Sequence, residues 1–256
     1  MASTDVTIYE PGQFLALNCD LTDVTEFIAE NLSGQDITEF DLPRLTVPSG
    51  NATKYRWEVP TLEGSEAVDE ISGVIVFQKQ TRAFWPQSID EGGGNIPPSC
   101  SSPDARVGFG KQWATREDPD PEGEPRQLAC AQCPKSQFGS DGGRGQACKQ
   151  SAHLFLLRDQ GFLPTVVNVP PTSLRPLRNY MLMLTNVRVR YDQVVTVLGL
   201  EKRSNAGGTA YAQIAPRLGG RLGEEEAAKA RAYGDELRPQ FEAVAAAAAQ
   251  PATDIA

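Results

Sequence analysis

Apolar residues along the chain fall into short runs whose spacing changes several times, and those changes mark out its elements. In DVTEFIAEN (Asp23–Asn31) Val24, Phe27 and Ile28 stand at helical spacing, which predicts a short helix with one apolar face. The following DLPRLTVPSGNATKYRWEVP is rich in turn formers and reads as extended and irregular. From Ser72 the texture shifts to GVIVFQKQTRAFW, β-branched and aromatic, which predicts a long first strand of a β domain. HLFLLR from His153 and TVVNV from Thr165 read as two shorter strands. In PPTSLRPLRNYMLML, Leu174, Leu177, Met181 and Leu184 recur at helical spacing behind Ser173 as N-cap, with Pro176 in the first turn, where a missing N–H costs least. VRVRYDQ comes next, and alternation in an extended segment would set Arg188 and Arg190 on one face. The strands VVTVLGLEKR and TAYAQIAPRL follow, joined by a Ser-Asn-Ala-Gly-Gly turn. Phe77, Phe155 and Leu198 are expected in the core. Glu224–Ala249 is Ala- and Glu-rich and predicts a solvated helix broken near Pro239. No internal repeat is visible.

Between about residues 91 and 150 the chain is Gly- and Pro-rich, holds four of the five cysteines and has few apolar runs able to build a core, so it needs another staple. Cys130-Ala-Gln-Cys133 has the spacing that lets two thiolates on one tight turn face a common tetrahedral ion. Cys148 follows after 14 intervening residues and Cys100 precedes by 29. The pattern is that of a zinc ribbon with an incomplete second knuckle, and it predicts one structural Zn2+ held by Cys100, Cys130, Cys133 and Cys148. His153, the only histidine, is the alternative to Cys100 as fourth ligand; Cys19, in FLALNC, has no companion in sequence and reads as structural. A catalytic zinc would need an open position and a general base, and the deaminase order, H-x-E ahead of P-C-x-x-C, is absent.

Charge changes the picture again. The 256 residues carry a net -9 and 40% hydrophobic content, which suits a chain with a core but argues against a phosphate-binding surface. The charge is unevenly spread, however. Residues 1–70 hold 3 basic and 14 acidic side chains, residues 71–222 hold 18 and 12, and residues 223–256 hold 3 and 7. Five of the 12 central acids crowd into Glu117–Glu124, within the loop-like REDPDPEGEPR, which leaves the rest of the centre more basic still. The first residues lack a secretory signal and no run is long enough for a membrane span, so no membrane partner and a cytoplasmic, reducing location are expected, where cysteines serve as ligands and not as disulfides.

Strand, cysteine-rich excursion, strands, helix and two strands is the plan of an OB-fold, a partly open barrel that binds oligonucleotides across one face. The expectation is a mainly β (α+β) chain. An acidic N-terminal arm (1–70) would lead into an OB-fold-like antiparallel barrel (71–222) with a zinc-ribbon insertion at about 91–150, and a C-terminal helix and tail (223–256) would follow. The runs CAQCPKSQFGS, GQACK, LFLL, VPPTSL and VVTVLGLEKRSNAGG, with the upstream DLPRLTVPSG, resemble the C-terminal DNA-binding domain of the replication protein A large subunit and small zinc-ribbon proteins of phages and mobile elements. That resemblance covers about residues 40–222 and implies a non-catalytic single-stranded DNA-binding protein of DNA replication or recombination, in a bacterial or phage-infected cell.

Sequence-tolerant strand binding uses cations along a groove with aromatic faces between them. Candidates are Lys79 and Arg82 before Phe84 and Trp85, Lys111 before Trp113, Arg188 and Arg190 before Tyr191, and Lys202 and Arg203 across the Gly-rich turn from Tyr211. The acidic flanks would compete with nucleic acid, recruit other replication or recombination proteins, or simply keep the protein soluble. A zinc-stapled adaptor is the alternative function. An enzyme is disfavoured because no Walker loop, G-x-S-x-G elbow, H-E-x-x-H or clustered carboxylates are present.

Overall fold

The structure, a computed structural model, describes residues 14–19, 21–35, 37–50, 52–85, 98–110, 126–143, 145–159, 161–205 and 207–248. It is mainly β, with a mixed sheet. The described strands are β1 (Arg44–Thr46), β2 (Trp57–Thr61), β3 (Gly64–Val68), β4 (Glu70–Phe84), β5 (Cys100–Ser102), β6 (Val107–Gly110), β7 (Arg126–Ala129), β8 (Lys149–Leu157), β9 (Thr165–Val169), β10 (Val194–Ser204) and β11 (Ala210–Arg221). Three α-helices are described: α1 (Leu21–Asn31), α2 (Pro171–Asn186) and α3 (Glu224–Ala248). None of the described helices is long and apolar enough to cross a membrane.

The chain forms two compact units, residues up to 78 with 153–241, and residues 79–152 with those from 242 on. In the first, the order is β1-β9-β8-β4, and β10 joins β4 in antiparallel register with Val195 opposite Val74. β11 pairs along the whole of β10. The strands with apolar residues on both faces, LFLL in β8, TVV in β9 and VVTVL in β10, are buried throughout, as expected of strands covered on both sides. Phe77, Phe155 and Leu198 lie in this core, as predicted.

The expected antiparallel barrel does not form. β1 runs parallel to β9, with Leu45 opposite Val167, and no pairing among the described residues closes the sheet. Nor do the described residues between 14 and 70 form a separate arm. Phe14, Leu17, Leu42, Leu45 and Trp57 are buried with the strands of the first unit, and Trp57 Nε1 donates to the Leu198 carbonyl at 2.9 Å. Glu58, Glu63, Glu66 and Glu70 of this acidic segment are exposed, whereas Glu39 is buried. The first unit runs across positions 70 and 222, and the second takes in 79–152.

α2 forms where its periodicity predicts, with Leu177 and Leu184 buried, but Ser173 does not cap it. Pro170 is the N-cap, and Ser173 Oγ instead accepts the Ile214 N–H at 2.9 Å, satisfying a donor on the outer edge of β11. α3 continues through Pro239 without the expected break and is not a solvated helix, because Ala227, Ala230 and Tyr233 are buried and Tyr233 donates to the Phe162 carbonyl at 2.5 Å. Gly234 is what lets this helix lie against β4, since a Cβ there would overlap the Val76 carbonyl. Gly234→Ala is therefore expected to destabilise the protein by about 2 kcal/mol in urea unfolding, although alanine is the better helix former by about 1 kcal/mol.

Candidate metal centre and nucleic-acid interface

The second unit is a small ribbon built on the end of β4. Phe84 pairs with Cys100 at the head of β5, Cys100 pairs with Gly110 of β6, and Val107 pairs with Ala129 of β7. This ladder brings Cys100 beside the turn that follows β7. There Cys130 N–H donates to the Arg106 carbonyl at 2.8 Å and Cys133 N–H to the Cys130 carbonyl at 3.2 Å, so the two thiols stand on one tight turn. Buried Ser136 braces the turn, its Oγ bonded to the Cys130 carbonyl and 2.9 Å from the Cys133 carbonyl. Cys148 is drawn in by its N–H donating to the Lys135 carbonyl at 2.8 Å.

Together Cys100, Cys130, Cys133 and Cys148 line one void of about 20 Å³ with Arg82, Gly108 and Ser136. Among the described residues no group of three or more His, Cys, Asp or Glu is drawn into a ready coordination cage. The void nonetheless matches the donor chemistry of a four-thiolate site, which is closed and tetrahedral. Burial, followed by the charges of Cys148, Cys133 and Cys130, pushes the Cys100 thiol up to about 12. Burial pushes Cys148 up to about 11 against the pull of the Arg82 guanidinium. Thiols so placed must lose protons when they take a cation, which ties metal uptake to pH. His153, the alternative ligand, does not line the void; its Nδ1 lies 3.8 Å from Glu39 Oε2. Cys19 belongs to the first unit, where it lines an apolar cavity of about 430 Å³ with Phe27, Ile28 and Leu163.

Gly108 has no sequence signal that betrays its role. A Cβ at that position would stand 3.1 Å from Cys100 Sγ, a tight contact that presses on this sulfur by a few tenths of an ångström, and 3.5 Å from Cys130 Sγ, an ordinary one. Gly108→Ala is expected to weaken zinc binding about tenfold, or about 1.4 kcal/mol, in chelator competition. Ser136 had a signal, a hydroxyl three residues past the knuckle, the position from which serine bonds turn carbonyls.

The nucleic-acid candidates divide between the units. In the second, Arg82 is committed to the ribbon, donating to Gln150 Oε1 at 2.8 Å and to the Cys148 carbonyl at 3.4 Å. Phe84 is not a stacking platform: it is buried at 7% exposure, with Lys135 Nζ 5.4 Å from its ring centre. Lys79 is half-buried, and Trp85, 36% exposed, keeps part of its ring in solvent. Lys111 and Trp113 lie outside the described residues.

In the first unit, Arg188 does not sit in an extended segment. Its φ of +56° turns the chain after α2, so it shares no strand face with Arg190. Arg190 donates to Asp192 Oδ1 at 2.9 Å, and Tyr191 packs against Tyr180, Leu184 and Val194. Arg203 and Tyr211 stand directly opposite each other across the β10–β11 hairpin, while Lys202 faces the other side and donates to the Ala52 carbonyl at 2.8 Å. Arg203 also pairs with Glu201 at 2.5 Å. The turn beyond them is held by Asn205 Oδ1, which accepts the N–H groups of Gly207 and Thr209 at 2.9 Å each.

No family model matches the chain, and neither a curated protein nor a solved structure matches it.

Proposed function

We propose that this chain is a non-catalytic single-stranded DNA-binding protein of replication or recombination, an OB-like sheet carrying a ribbon stapled by one Zn2+ on Cys100, Cys130, Cys133 and Cys148. The observation that carries the reading is where the ribbon sits. It interrupts the chain between β4 and β8, ahead of β9, α2 and the β10–β11 hairpin, and its four cysteines line one void. That order is the one expected of an OB-fold, on which the resemblance to the C-terminal DNA-binding domain of the replication protein A large subunit rests, and β4 pairs with both β8 and β10. β1 occupies the edge of β9 that a closing strand would need.

Arg203 facing Tyr211 supplies the pairing that strand binding uses, a cation for phosphate beside a face for a base. Arg188, Arg190 and Lys202 add charge in the same unit; Lys79 and Trp85 offer a cation and a partly open ring in the other. Incoming phosphate must displace Glu201 from Arg203 and Asp192 from Arg190, so affinity depends strongly on competing ions. With about four phosphates contacted, binding of an unstructured DNA oligonucleotide should weaken roughly 50-fold between 50 and 200 mM salt, measured by fluorescence anisotropy. A duplex bound equally well, or affinity indifferent to salt, refutes the reading.

The same internal ion pairs favour a second reading. Cations already neutralised by Asp192 and Glu201 suit a zinc-stapled adaptor that contacts proteins. In that case the oligonucleotide stays unbound while partner proteins of replication are retained.

A further inference from the structure

Two surfaces of the first unit complement each other in charge and in apolar content. Helix α2 leaves one side uncovered. Arg175, Arg178 and Leu182 follow one another at intervals of three and four, so they share a face, and Met183 and Val187 stand beside them. Leu182, Met183 and Val187 are 54%, 63% and 56% exposed, an apolar stripe at the C-terminal end of a helix that carries Arg175 and Arg178 in its first half. Residues 160–191 contain no aspartate or glutamate at all.

The β2–β3 hairpin carries the opposite surface. Thr61 pairs with Gly64, so Leu62 and Glu63 form a two-residue turn, and Leu62 at its tip is fully exposed. Glu58, Glu63 and Glu66 are exposed along the same hairpin. From Trp57 to Glu70 the chain holds five acids and no base. A projecting leucine ringed by carboxylates fits a helix face that offers leucine, methionine and valine next to two arginines. Methionine adapts its shape to an inserted side chain. The stripe suits an apolar side chain better than a nucleic acid, because it has no aromatic face on which a base would stack.

We infer that the chain associates with a second copy of itself, the Leu62 tip of one molecule seating on the Leu182–Met183–Val187 stripe of the next, with Glu63 and Glu66 against Arg175 and Arg178. The contact is head-to-tail: each molecule uses one surface as donor and the other as acceptor, so it propagates into rings or chains and does not stop at a pair. Neither surface contains a residue assigned above to zinc or to DNA, so the association is independent of both.

Sedimentation of the zinc-loaded protein without oligonucleotide, from about 1 to 100 µM, tests it, since an interface of this small size is weak. The average mass of the wild type should rise with concentration, and less so at high salt. Leu62→Ser and Met183→Glu should each sediment as a single chain with unchanged circular dichroism. Mixed in equal amounts, the two variants should form a dimer and go no further, because one intact contact remains between them. A wild type that stays monomeric, a Leu62→Ser variant that keeps the wild-type mass, or a mixture that stays monomeric overturns the proposal. So does an Arg178→Glu variant that keeps its mass and loses oligonucleotide binding, which would give the stripe to nucleic acid.

Discussion

Replacing Cys133 with serine is expected to take bound zinc from one equivalent to none and to melt the ribbon while the first unit stays folded. The reason lies in how little else holds the ribbon. Its buried apolar side chains among the described residues are Phe84 and Ala152 besides the cysteines themselves, far too few for a core. Three backbone bonds set Cys130, Cys133 and Cys148 in place, but hydrogen bonds alone add only about 1 kcal/mol each. A structural zinc contributes roughly 10 to 16 kcal/mol of apparent binding energy in small domains, and in such a site binding energy is folding energy. Metal content by atomic spectroscopy and limited proteolysis between residues 98 and 152 read the result. A chelator should reproduce it in the wild type, and restoring zinc should reverse the chelator's effect only. A serine variant that keeps its metal and its protease resistance refutes the centre.

Trp57→Ala is expected to destabilise the first unit by about 3 to 5 kcal/mol, the loss of a large, fully buried aromatic side chain. Trp57 has no exposed surface, and its indole N–H is bonded to the Leu198 carbonyl in the middle of β10. The substitution removes apolar contact and also leaves that carbonyl without this donor in the interior. The urea midpoint should fall by more than about 1 M at a typical slope. Trp57→Phe keeps most of the ring and should cost far less. Equal midpoints for wild type and Trp57→Ala would mean that the segment 14–68 is not integral to the first unit.

Parts of this fold could be read directly from the chain because their cause is local. TVVNV is bounded by Pro164 and Pro170, and it becomes β9 at Thr165–Val169. The leucine spacing of α2 and the Gly-rich turn between β10 and β11 are likewise short-range signals. Within the cysteine quartet the Cys130–Cys133 turn has the same local cause, whereas Cys100 and Cys148 reach it through pairings distant in sequence. What failed depended on distant partners. Arg44–Thr46 is only three residues long and gains its meaning from β9, so its stretch looked like an irregular lead-in. Phe84 faces the ribbon because it is paired with Cys100, a register that no nearby residue encodes. Arg188 adopts a left-handed conformation that is rare outside glycine, which broke an alternation otherwise well supported. Arg190 and Arg203 are not simply available charge, because Asp192 and Glu201, within two residues of them, engage them.

The parallel pairing of β1 with β9 also sets a schedule for making the protein. Arg44 leaves the ribosome roughly 120 residues before Val166, its partner, and at about 5 to 20 residues per second the wait lasts some 6 to 24 seconds. During that interval the nascent N-terminal stretch, with Leu42, Leu45 and Trp57 still bare, has no sheet to join. Chaperone dependence should therefore concentrate in this stretch, and slowing translation should lengthen its vulnerability.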